Sequence, residues 1–197
     1  MMRNSFSKLF WGFILVLIEI HLIVVDILPD PLGYLLIFWG VQSAATEDPA
    51  GKKAKTLALI LMFVSLPTIF IQQNQTANEF GQLAPIDGWA FYMHAIGLLK
   101  LVLVFFVFKM MISIVKERGE SDLVSRTSTT LLVYMIVMLC NSFLQTFTMN
   151  MGSNMLLGLI FIIVSSSMIM EIVFLVLLRR FMKIQDEPDN ESHSIEI

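Results

Sequence analysis

Six apolar runs divide this chain, and nothing else in it limits the fold as much. They cover roughly residues 9 to 27, 31 to 46, 56 to 72, 89 to 114, 130 to 148 and 155 to 178. A helix that crosses a bilayer needs about 20 mostly apolar residues, because the rise of 1.5 Å per residue must match the hydrocarbon core. With 56% hydrophobic and only 15% charged residues among 197, and a mean hydropathy of +0.77, the chain is far more apolar than an ordinary soluble domain. The expected fold class is all-α, a polytopic integral membrane protein of six transmembrane helices.

The cationic residues predict an orientation. Arg3 and Lys8 precede or open the first run, Lys52, Lys53 and Lys55 separate the second from the third, Lys116, Arg118 and Arg126 separate the fourth from the fifth, and Arg179, Arg180 and Lys183 follow the sixth. The intervening connections "ILPDP", "QNQTANEFGQLAPIDG" and "MNMGSN" contain no Lys or Arg. By the positive-inside rule both termini are expected in the cytoplasm. The N-terminus resembles a secretory signal in its basic start, but it lacks a small-residue cleavage site and its apolar run holds Glu19 and His21, so it reads as a retained first helix. The expected organisation is a six-helix transmembrane domain over 1–183 and an acidic cytoplasmic tail over 184–197, too polar to bury an apolar face and expected to be disordered. A single cysteine, Cys140, excludes an internal disulfide and a cysteine-based metal cluster, and reads as a small buried hydrophobe.

Of the 13 Lys and Arg residues only Lys100 lies far from the end of a run. Ionisable side chains inside a membrane are expensive and face the bundle interior, so each needs a reason. Glu19 stands 11 residues beyond Lys8, Lys100 stands 9 before Lys109 and Glu171 stands 8 before Arg179. At 1.5 Å per residue all three fall roughly 12 to 16 Å from the cytoplasmic end, and they can meet. One ammonium shared by two carboxylates leaves a net negative site able to hold a proton or a cation. The plainer alternative is a structural ion pair that fixes helix packing. Ser167, one turn before Glu171, offers a further hydrogen bond to the carboxylate.

A second polar set lies farther out. His21 and His94 fall at comparable heights, and Asn141, Gln145 and Thr148 repeat at i, i+4 and i+7, which places them on one helix face expected to look inward. Two histidines without a third ligand do not make a metal site, so no metal is expected. A hydrogen-bonded packing role outweighs a proton relay here.

The stretch "DILPDPLGY", Asp26 to Tyr34, joins the first two runs. Asp30 before Pro31 reads as a helix cap followed by a proline in the first position, where no N–H is needed. Gly33 then permits a close helix contact, and Tyr34 suits an interface where its ring is apolar and its hydroxyl wet. The second run, closed by Asp48-Pro49, covers only about 24 Å, less than the roughly 30 Å core. If its start is sunk among its neighbours, Asp26 and Asp30 line an outward-facing vestibule, because irregular backbone at membrane depth is tolerated where it lines a cavity. The third run carries Pro67, expected to kink it.

The sequence holds no metalloprotease HExxH helix, no GxSxG nucleophile elbow and no GxxxxGK[ST] phosphate loop. "DGWA" at Asp87 to Ala90 starts like the motif of membrane phospho-alcohol transferases, but the later arginine and paired aspartates do not follow. No cofactor is implied, and without a basic patch interleaved with aromatics no nucleic acid is either. The run "DILPDPLGYLLIFWG" resembles a signature of small, uncharacterised multi-spanning membrane proteins of Gram-positive bacteria, in which Ile-Leu-Pro-Asp is followed two residues later by Gly-Tyr. The likeness rests on Leu28, Pro29, Asp30, Gly33 and Tyr34, and Pro31 stands where other residues are expected. It implies a multi-pass protein of the bacterial cytoplasmic membrane and carries no activity or substrate. The leading functional expectation is small-solute or ion handling through Glu19, Lys100 and Glu171. The alternative is an accessory or immunity-type protein acting through a protein partner or a second copy, and a membrane-embedded enzyme comes third.

Overall fold

A computed structural model describes residues 2–21, 30–44, 47–67, 88–147 and 153–183, with the side chains of 3–16, 30–44, 47–67, 91–146 and 155–183. Among the described residues the chain is all-α, with six helices: α1 (Met2–His21), α2 (Asp30–Ala44), α3 (Pro49–Val64), α4 (Gly88–Glu117), α5 (Ser121–Phe147) and α6 (Ser153–Lys183). Three helical segments are long and apolar enough to cross a membrane, Phe91–Glu117, Ser121–Thr146 and Met155–Lys183. The acidic tail 184–197 lies outside the described residues.

Local chemistry sets the helix ends. The Asp48 carboxylate accepts a 2.8 Å hydrogen bond from the Gly51 N–H, and Pro49 fills the first helical position of α3. This Asp-Pro pair therefore opens α3 instead of only closing the run before it, and Lys52, Lys53 and Lys55 fall inside the helix. At the other end the Ser65 N–H bonds the Leu61 carbonyl at 2.8 Å and its hydroxyl donates to the Met62 carbonyl at 3.2 Å. α3 thus ends at Val64 with a turn at Ser65, and the chain is helical again at Leu66 and Pro67, so the regular helix is interrupted just before the proline. Gly119, at φ 76°, turns α4 into α5: its N–H reaches the Lys116 carbonyl and the Glu120 N–H reaches that of Val115, a Schellman closure that needs the left-handed residue.

Each helix packs on its neighbours in the chain, and α6 closes on α1. Contacts fix the directions. Gly12 meets Gly33 while Leu9 meets Gly40, so α1 and α2 are antiparallel. Phe6 meets Phe181 and Phe13 meets Phe174, which sets α1 against α6 in the same way. Tyr92 donates to the Val64 carbonyl and Lys53 sits over the Phe106 ring, so α3 and α4 are antiparallel. The helices alternate up and down around a ring. All the basic connections and both outer ends, Arg3 and Lys183, consequently lie at one end of the bundle.

The middle of the ring is filled. Phe174 of α6 stacks edge-on with Phe13 of α1 at 4.8 Å and meets Phe108 of α4 at 4.9 Å and Tyr134 of α5 at 5.9 Å, a cluster drawn from four helices. α1 and α2 approach backbone to backbone: a Cβ on Gly12 would lie 2.8 Å from the Gly33 carbonyl, and one on Gly40 would lie 2.9 Å from the Leu9 nitrogen. Small residues at such positions are how helices gain contact where burial of apolar surface gives little drive. The outer faces of α5 and α6 are apolar and open, with Phe143 65% and Phe161 73% exposed, the inverse of a water-soluble bundle. Cys140 lies on that exposed face. A thiol is at home there because lipid is as apolar as a core, so the expectation of a buried cysteine does not hold.

Candidate functional site

Lys100, near the middle of α4, and Glu171, in α6, form an ion pair with Nζ 2.9 Å from Oε1 and side chains only 9% and 3% exposed. The two helices run in the same direction, which Lys100–Glu171 and Phe108–Phe174 both show. An isolated charge at such a place would cost several kcal/mol, and the short contact offsets that cost. Tyr134 of α5, fully enclosed, brings its hydroxyl against the Glu171 carboxylate. That hydroxyl nevertheless closes no hydrogen bond of normal geometry. The Glu19 side chain, expected as the second carboxylate, lies outside the described residues.

The surroundings of the pair differ along the bundle axis. Toward the basic end lies the aromatic cluster of Phe13, Phe108, Phe174 and the Tyr134 ring. Toward the opposite end the neighbours are polar. Asn141 of α5 donates from Nδ2 to the Ser166 and Ser167 hydroxyls of α6, both at 2.9 Å. The Ser142 hydroxyl stands 3.3 Å from His94 Nε2 of α4. Polar side chains thus lie on the far side of Lys100 and Glu171, and aromatic rings on the near side.

The expected outer set is divided. Asn141 and Ser142 are adjacent, hence about 100° apart around α5, so one bonds α6 and the other bonds α4. Ser167, expected to bond Glu171, accepts from Asn141 instead. Gln145, two residues before the end of α5, is exposed, whereas Asn141 is buried. The His21 side chain and Thr148 lie outside the described residues. Tyr134, Ser142 and Ser166 had not been singled out in the sequence. The signal for Tyr134 was its spacing of seven from Asn141, which keeps both on one stripe of a helix.

Of the stretch "DILPDPLGY", Asp26 lies outside the described residues, and Asp30, Gly33 and Tyr34 belong to α2 itself. Asp30 is the first residue of the helix, and its Oδ1 is buried without a hydrogen-bond partner. Its charge still sits at the positive end of the helix dipole. Tyr34 is 1% exposed, enclosed by the bundle where a wet interface had been expected. Gly33 faces Gly12 and Val16 of α1. Gly33 thus serves the seam between α1 and α2. Among the described residues no three of His, Cys, Asp and Glu group as metal ligands would. Comparison with known proteins finds no matching family model, no matching curated protein and no matching solved structure.

Proposed function

We propose that this chain is a six-span membrane protein with both termini in the cytoplasm, which handles a proton or a small cation at the Lys100–Glu171 site. The three long apolar helices support a membrane protein directly. The short α1, α2 and α3 join the same alternating ring, which supports six spans, and the collection of basic residues at one end supports the orientation.

One observation carries the functional reading: a buried ion pair with a tyrosine hydroxyl against its carboxylate, polar side chains on one side and an aromatic cluster on the other. A carboxylate balanced by one ammonium changes the charge of the whole site when it takes up a proton. The Tyr134 hydroxyl, already against Glu171 without a bond of normal geometry, can accompany that change by tightening its contact. Access in this reading comes from the far end, past Asn141 and His94, where Asp26 and Asp30 would form the entrance. Glu19 would supply the second carboxylate and leave the site net negative.

Purified protein in liposomes, loaded with a pH-sensitive dye or a cation indicator, tests the reading. The double variant Lys100→Met with Glu171→Gln removes both charges together, and so avoids stranding either one. Loss of flux in that folded variant is the expected result. Unchanged flux would sink the site assignment. Copurification with a specific protein and no flux from the native chain would favour the accessory or immunity-type role instead.

A further inference from the structure

At the basic end of the bundle the seam between α5 and α6 opens into a groove of about 1030 Å³, large enough for a substantial ligand. Four cations line it, Arg126 from α5 and Arg179, Arg180 and Lys183 from α6. Arg126 is held by Asp122 at 2.9 Å. The other three have no ion-pair partner among the described residues. Deeper along α6 the same groove is walled by Val173, Val176 and Leu177, and on α5 it carries the hydroxyls of Ser125 and Thr129.

We propose that this groove binds an anionic phospholipid, with the phosphate among Arg179, Arg180 and Lys183 and an acyl chain along Val173, Val176 and Leu177. The order of chemistry along the axis carries the assignment. Val173, then Val176 or Leu177, then Arg180 and Lys183 recur at steps of three and four, so they form a single stripe of α6 that is apolar inside and cationic at the end. From Val173 to Arg180 is about 10 Å, and a phospholipid lying beside the helix presents its chain and then its phosphate in the same order. Guanidinium groups hold phosphate oxygens by paired N–H donors, and Ser125 and Thr129 lie where a glycerol or headgroup oxygen would pass. Three cations with no ion-pair partner among the described residues, against Asp122 and Glu120 nearby, favour an anionic lipid over a zwitterionic one, and basic pockets between membrane helices on the cytoplasmic side bind such headgroups. Solute handling at Lys100 and Glu171 is not required for this site.

Native mass spectrometry of the full chain in detergent, titrated with phosphatidylglycerol, with phosphatidylcholine of identical chains and with inorganic phosphate, tests it. Phosphatidylglycerol is expected to stay bound roughly thirtyfold more tightly than phosphatidylcholine, and Arg180→Gln with Lys183→Gln to remove about that factor, at about 1 kcal/mol per cation. Both residues are exposed, so the fold should survive the change. Val176→Ser should weaken phosphatidylglycerol without altering charge, because the chain loses its wall. Lys52→Gln with Lys55→Gln, cations at the same end but outside the groove, should leave binding unchanged. Equal losses in the two double variants, equal retention of the two lipids, or displacement of the lipid by an equal concentration of inorganic phosphate would each overturn the proposal.

Discussion

Lys100 Nζ lies 2.9 Å from Glu171 Oε1 across two helices that point the same way, and neither side chain reaches the surface of the bundle. Removing one partner strands the other in an apolar surrounding, at a cost of about 3–5 kcal/mol. Lys100→Met and Glu171→Leu alone should each lower unfolding stability in detergent by that order. The double variant should recover most of the loss, since the charges leave together. Single variants that cost under about 1 kcal/mol would show that water reaches the pair.

Tyr134 gives a cleaner separation of stability from function. Its hydroxyl is buried against the Glu171 carboxylate without a hydrogen bond of normal geometry, so Tyr134→Phe removes a polar group that adds little to the resting fold. Thermal stability should stay within about 1 kcal/mol of the native protein or rise slightly. Proton or cation flux should fall, because the donor that would follow a charge change at Glu171 is gone. A large loss of stability with flux intact would mean that the hydroxyl holds the fold and takes no part in the site.

Depth was legible in the sequence and azimuth was not. Counting residues from the nearest basic residue places Lys100 and Glu171 at one height, because a helix rises at a constant 1.5 Å per residue. Which residues face each other depends on how six helices rotate as they pack, and apolar runs with little polar contrast do not encode that rotation. Gln145 shows the limit: i+4 spacing put it with Asn141, yet it is exposed. Tyr134 was passed over for a different reason, since a tyrosine inside an apolar run looks like core until its hydroxyl is seen against a carboxylate. The start of α3 was misjudged because an Asp-Pro pair closes one helix and opens the next with the same two residues, and hydropathy marks only where the lysines end.

Asn141 joins α5 to α6 through Ser166 and Ser167, and this is a link that lipid cannot replace. Interhelical hydrogen bonds of this kind average about 0.6 kcal/mol in a membrane protein, with a maximum near 1.7. Asn141→Leu should therefore cost about 1–2 kcal/mol. A double-mutant cycle against Ser166→Ala with Ser167→Ala should show coupling of about 0.5–1.5 kcal/mol. Purely additive losses would mean that the three side chains act separately and the polar layer above Glu171 is not one unit.

Glycine substitutions test the tightest seam in the molecule. A Cβ at Gly12 would stand 2.8 Å from the Gly33 carbonyl and 2.9 Å from the Ile37 nitrogen, and neither backbone atom can swing aside as a side chain end could. Gly12→Ala must push α1 and α2 apart, which should cost about 1–3 kcal/mol or more. At Gly158 of α6 nothing lies within 4 Å of the same added atom, so alanine there keeps the packing and removes a flexible residue from a helix. Gly158→Ala should be neutral or gain up to about 1 kcal/mol. The contrast matters more than either value. Both substitutions add one methyl group to a helix of an apolar bundle, so a general effect of alanine would shift the two melting curves alike. Only direct backbone contact between α1 and α2 separates them.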